Sequence, residues 1–176
     1  TLAGSVLAAA LAGCGFRPLY GPSGGSADLA AVAVAPIPER TGQELRTELI
    51  DLLDPGRAAA APRYRLAVSL SEERERFSVE RTGFASRANL RIEAAFTLVD
   101  AATGAPVLAG TTHATSSYDI LDRTTDAPRD ASKFSTLTAD HAARSRVVRQ
   151  LAQDIRRRLA VHFAHAPQPG GPQPSG

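Results

Sequence analysis

The sequence predicts an α+β domain in which two helices pack on one face of a four-stranded sheet, in the order β-α-β-β-β-α. Three observations predict it. Leu45, Leu49, Leu52 and Leu53 recur at helical spacing, apolar and polar residues then alternate through three runs between 63 and 118, and the helical period returns from 132 to 162.

Taken in order, Leu29 to Ile37 carries Val32 and Val34 and reads as a short strand ended by Pro36 and Pro38. Thr41, with Glu44 three residues on, has the pattern of a capping box, so the first helix is expected to start there and to stop at Pro55-Gly56. From Arg63 the period becomes two: Tyr64, Leu66, Val68 and Leu70 share one face, and Arg63, Arg65, Ser69 and Ser71 the other. Glu72 to Gly83 is charged and extends that strand past the sheet to a turn at Thr82-Gly83. Phe84 to Asp100 alternates again, with Leu90, Ile92, Ala94, Phe96 and Leu98 opposed to Arg87, Asn89, Arg91 and Glu93. Residues 101–105 turn the chain into Pro106 to Tyr118, whose Thr and Ser suit a half-exposed strand. After a polar loop, Asp119 to Ala131, a helix is expected from Ser132 to His162, with Leu137, Val147 or Val148, Leu151, Ile155 and Leu159 on its apolar face. Arg156, Arg157 and Arg158 near its end suit the helix dipole. Such a layer pair covers one face of the sheet and leaves the other, with an edge, free for a partner.

The formal net charge is +2, from 20 basic and 18 acidic residues, and every basic residue except Lys133 is Arg. Arg makes the bidentate contacts with phosphate and carboxylate that Lys does not. A composition rich in Ala, Arg and Gly gives the same bias without any function.

Nothing in the sequence points to an enzyme. His113, His141, His162 and His165 stand in no metal-ligand spacing, so no metal is expected. No G-x-S-x-G or S-x-x-K activates a serine, and the glycines between Gly21 and Gly25 lack the lysine of a phosphate loop. The acidic pairs Glu72-Glu73 and Asp119/Asp122 sit in charged surroundings and read as solvated surface.

One constellation could bind something: Arg74, Arg76, Arg81, Arg87 and Arg91 near Phe77 and Phe84. Guanidinium suits phosphate and an aromatic ring suits an acyl chain or sugar, so Arg74, Arg76, Arg87 and Arg91 are the candidate sites for an anionic amphiphile. The alternative is mutual screening by Glu72, Glu73, Glu75 and Glu80, which interleave with them.

At the N-terminus, Leu2 to Leu11 is apolar but shorter than the about 20 residues that span a bilayer, and it matches the core of a signal peptide. Thr1 has no Met or basic flank before it, so the charged start of that signal is expected to precede it. Leu11-Ala12-Gly13-Cys14 resembles a bacterial lipoprotein processing site, and Cys14, the one cysteine, has no internal disulfide partner. That resemblance implies cleavage before Cys14, diacylglycerol on its thiol and an acyl chain on its amine, and no other cofactor. More than one chain anchors firmly, at about 0.8 kcal/mol per buried CH₂. Gly15 rather than Asp follows, which favours the outer membrane as destination. The expected organisation is therefore a signal remnant over 1–13, a lipidated tether over 14–28, one α+β domain over 29–164 and a disordered Pro- and Gly-rich tail over 165–176. Export makes nucleic acid an unsuitable partner.

The stretch from Leu11 through Cys14-Gly15-Phe16-Arg17-Pro18-Leu19-Tyr20-Gly21 resembles the start of the LPS-assembly lipoproteins of the LptE/RlpB type, and Arg149 to Leu159 is similar to the family's last helix in alphaproteobacterial members. The resemblance implies a non-enzymatic partner of the LptD-type β-barrel that transports LPS, plugging it, assisting its assembly and contacting LPS. Of the functional residues it carries over only Cys14. Two other classes remain open: an auxiliary lipoprotein of an ABC-type lipid transport system, and a lipoprotein activator of a cell-wall synthase.

Overall fold

The computed structural model describes residues 25–54, 62–78, 86–120 and 129–165. Three helices and four strands follow one another as α1 (Gly25–Ala30), β1 (Val32–Val34), α2 (Glu39–Leu53), β2 (Tyr64–Ser78), β3 (Ser86–Asp100), β4 (Pro106–Ile120) and α3 (Arg129–His165). The strands form a single sheet in chain order, β1-β2-β3-β4. β1 runs parallel to β2 with α2 as the crossover, whereas β2, β3 and β4 pair antiparallel.

The expected α+β layers are present, with α1 added. The expected strand from Leu29 shrinks to three residues, because Gly25–Ala30 coils into α1 and buries Leu29 while Pro36 and Pro38 end the ladder. α1 also begins inside the stretch read as tether. Arg63 Nη1 donates to Asp28 Oδ1 at 3.1 Å and ties α1 to the start of β2.

The capping box does not form. α2 starts at Glu39 behind Pro38, whose place at the helix entry has no side-chain cap, and Glu39 itself takes a positive φ of 64°. Thr41 lies inside the first turn, buried, with its hydroxyl accepting from Arg144 Nη1 at 2.9 Å. A tertiary partner has taken the oxygen that would otherwise cap the helix.

Between the layers lies the core. Leu45, Leu49 and Leu53 of α2 and Val147, Val148, Leu151, Ile155 and Leu159 of α3 meet Leu66, Val68, Leu90, Ile92, Ala94, Phe96 and Leu98 of the sheet. Each such Leu, Ile, Val or Phe side chain stabilises by about 1.5–3 kcal/mol relative to exposure. Leu52 is only partly buried, and Leu137, expected in the α3 stripe, is 60% exposed. The reason is position: Leu137, like Phe134 at 73%, belongs to the early turns of α3, before the buried series that opens at Ala143.

Helix α3 has 37 residues and the three long strands 15 each, so helix and strands have nearly matched lengths of about 50 Å. The charged end of β2 does not project past the sheet. It stays paired with β3 as far as Ser78↔Ser86; the expected turn at Thr82-Gly83 lies outside the described residues. At the opposite end Asp100 Oδ1 accepts the N–H groups of Ala102 and Thr103 at 2.9 Å, and Gly104, at φ 70°, completes the turn into β4.

Candidate functional site

Pleating divides the long strands into two unlike faces. Leu66, Val68, Ala88, Leu90, Ile92, Ala94, Phe96 and Leu98 point at the helices and are buried. Arg65, Ser69, Ser71, Glu73 and Glu75 of β2, Arg87, Arg91 and Glu93 of β3, and Thr111, His113, Thr115, Ser117 and Asp119 of β4 point the other way and are exposed. No described helix covers that face.

The register separates the four candidate arginines. Arg87 and Arg91 stand on the open face, four residues apart on β3, so their Cα atoms are about 13 Å apart. Arg74 and Arg76, of opposite parity in the pairing, stand on the helix-side face of β2. They form no single cluster.

On the open face Arg87 Nε donates to Asp119 Oδ1 at 3.2 Å, both side chains being nearly two-thirds exposed. Such a pair contributes at most about 1 kcal/mol and leaves the guanidinium available to another anion. Arg91 lies opposite Glu73 on one side and Thr115 on the other, without an ion pair to a described residue. Ser117 Oγ donates to Asn89 Oδ1 at 2.7 Å, and Thr111 and Thr115 continue a hydroxyl row along β4. The open face thus mixes Arg65, Arg87 and Arg91 and a row of hydroxyls with Glu73, Glu75, Glu93 and Asp119, and its guanidinium and hydroxyl groups are the ones suited to non-covalent contact with a phosphorylated or hydroxyl-rich partner.

On the helix side Arg74 is occupied: its Nη2 is 2.7 Å from Glu72 and 3.9 Å from Asp140 Oδ1. That contact belongs to a network no sequence reading identified. Arg144, 14% exposed, reaches Asp140 Oδ2 at 3.1 Å, both Glu72 oxygens at 3.5 Å and Thr41 Oγ1 at 2.9 Å, joining α3, β2 and α2. Asp140 Oδ1 is buried with no hydrogen-bond partner among the described residues. Burial first, then contact with the Asp140 carboxylate, raises the Tyr118 phenol above its ordinary value, while Arg74 and Arg76 pull it back. Spacing signals Asp140 and Arg144, four apart on one helix, but nothing local signals Thr41 or Glu72.

A second polar cluster sits where α3 meets β4. Arg158 Nε donates to Asp154 Oδ2 at 2.8 Å, Arg157 binds Oδ1, and Thr112, buried on β4, also reaches the carboxylate. Burial pushes Asp154 upward, but the hydrogen bonds from Thr112, Arg158 and Arg157 outweigh it and hold the carboxyl below its ordinary range.

Among the described residues there is no group of three or more His, Cys, Asp or Glu able to hold a metal, and no helix long and apolar enough to cross a membrane. Cys14 lies outside the described residues, as do Arg81 and Phe84.

This architecture has counterparts among solved structures. A protein from Caulobacter crescentus assigned provisionally to the lipoproteins is 24% identical, with 80% of this chain and 96% of that one covered and a TM-score of 0.61. A minor lipoprotein from Acinetobacter baumannii is 19% identical, with coverages of 74% and 90% and a TM-score of 0.53. At these identities they show the fold. No curated protein sequence matches the chain. The family model for LptE, lipopolysaccharide-assembly, matches residues 29–159, from the end of α1 through most of α3, and the chain belongs to that family.

Proposed function

We propose that this protein is an outer-membrane lipoprotein, anchored through lipid on Cys14 and facing the periplasm, that plugs an LptD-type LPS-transport β-barrel, assists its assembly and contacts LPS. The observation that carries the reading is the family match over 29–159, which includes the whole sheet, all of α2 and α3 as far as Leu159. Supporting it, the domain presents one apolar face, already satisfied by helices, and one polar face whose groups can meet a hydrated lumen or a phosphorylated sugar.

Of the four candidate arginines, Arg91 and Arg87 lie where an anionic headgroup could reach both, so they are assigned the LPS contact. Arg76 is a second-rank contact on the helix-side face, and Arg74 serves mainly to hold Glu72 and Asp140.

The test is LPS binding by the purified protein and by Arg87→Glu with Arg91→Glu. Two reversed charges that each meet phosphate weaken binding by about a hundredfold, at about tenfold for every 1.4 kcal/mol, with the melting temperature unchanged. Undiminished binding would remove LPS contact from this face.

A further inference from the structure

β4 closes the sheet: one side of its backbone pairs with β3, and no described strand pairs with the other. Proteins ordinarily block a long edge with Lys, Pro or a bulge. Over its 15 residues β4 has Pro only at its first position, no Lys or Arg, and Asp119 as its sole carboxylate, and its register shift falls at the Pro106 end. Among the described residues none of these devices protects the edge from Val107 to Ile120.

A groove of about 450 Å³ lies against the middle of that edge, lined by Thr111, Thr112 and His113 of β4 and by Gln150, Gln153, Asp154, Arg157 and Arg158 of α3. Thr112 points to the helix side and Thr111 and His113 to the open side, so a groove touching all three opens on the backbone edge itself. Gln150, Gln153 and Arg157, spaced three and four apart, form one ridge along it. Arg146 continues the ridge, its Nε 3.2 Å from Ser116 Oγ, and Arg158 stands at the far end. Arg157 and Arg158 line the groove, both paired with its one carboxylate, Asp154, and Arg146 stands beside it on the same ridge, so arginine outnumbers carboxylate there; Arg157 is 70% exposed.

We propose that an extended, acidic polypeptide segment of a partner protein docks in this groove as a fifth strand on β4. Its backbone completes the ladder, alternate side chains fall against α3, and its carboxylates meet Arg157, Arg158 and Arg146. A lipid phosphate would satisfy the arginines but leave the row of backbone groups unused. A second copy of β4 would complete the ladder but brings only Asp119 to the arginines. The inference goes beyond the barrel-plug reading and does not depend on it.

The experiment is hydrogen exchange of the full chain with a ten-residue peptide alternating glutamate and threonine, capped at both ends. Amide exchange within Val107 to Asp119 slows on adding the peptide, and Arg157→Glu with Arg158→Glu weakens binding by about tenfold or more. Arg157→Gln with Arg158→Gln, which adds no repulsion at Asp154, gives a smaller loss in the same direction. The proposal is overturned by no slowing in β4, by equal binding of the lysine-for-glutamate peptide, by the same β4 protection from purified LPS, or by protein-concentration-dependent protection without peptide, which would mean a second copy.

Discussion

Gly42 sits inside α2 although glycine weakens a helix by about 1 kcal/mol relative to Ala. The cause is steric: a Cβ there would lie 2.6 Å from Ile37 Cγ2, and Ile37 is buried. Gly42→Ala therefore gains helix propensity but forces Ile37 out of place, and a net loss of about 1–3 kcal/mol is expected in denaturant unfolding. Asp154 contributes to the acid pH dependence, as does Asp100, whose carboxyl the hydrogen bonds from Thr103 also hold below its ordinary value. The folded Asp154 carboxyl is held below the ordinary value, so its stabilisation is fully present above the unfolded value of about 3.9 and is lost as pH falls through the lower folded one. Asp154→Asn should lower stability at pH 7 and flatten the acid limb of stability against pH. A variant with an unchanged acid limb would place that dependence elsewhere.

Elements differ in how far the sequence reveals them. α2, β2, β3 and β4 were legible because their core faces repeat at 3.6 or 2 residues, as Leu45, Leu49 and Leu53 or Leu90, Ile92 and Ala94 show. β1 was legible from Val32 and Val34 ahead of Pro36, although its start was expected too early, at Leu29; α1 was not, since six helical residues are too short to show a period. The start of α2 was misplaced because Thr41 and Glu44 satisfy a local rule while the hydroxyl serves a residue 103 positions away. In the same way the arginine group looked continuous along the chain, and only pairing parity puts Arg74 and Arg76 on one face and Arg87 and Arg91 on the other. Arg144 joins three elements through partners that spacing does not reveal. Arg144→Ala leaves Asp140, Glu72 and Thr41 without their shared donor, and a loss of about 2 kcal/mol is expected by thermal unfolding. Arg144→Lys restores only part of it, because one ammonium cannot reproduce the planar fork.

For the whole molecule the two faces of the sheet divide the work. The helix layer supplies stability through a continuous apolar core, so the open face and the β4 edge are free to be polar. That division suits a domain surrounded by another protein, where a second apolar face would have to be buried against a partner before the chain could remain in solution. On the proposed reading, lipid on Cys14 holds the domain at the membrane while its fold does the recognition. The most direct measurement is a mild-detergent pull-down from cell envelopes through a C-terminal tag, with partners identified by mass spectrometry and surface LPS measured after depletion. A large outer-membrane β-barrel recovered in equal amount, together with loss of surface LPS, is the predicted result. Recovery of an inner-membrane transport ATPase with surface LPS unaffected would contradict the account and move the protein to the auxiliary lipoproteins of lipid transport.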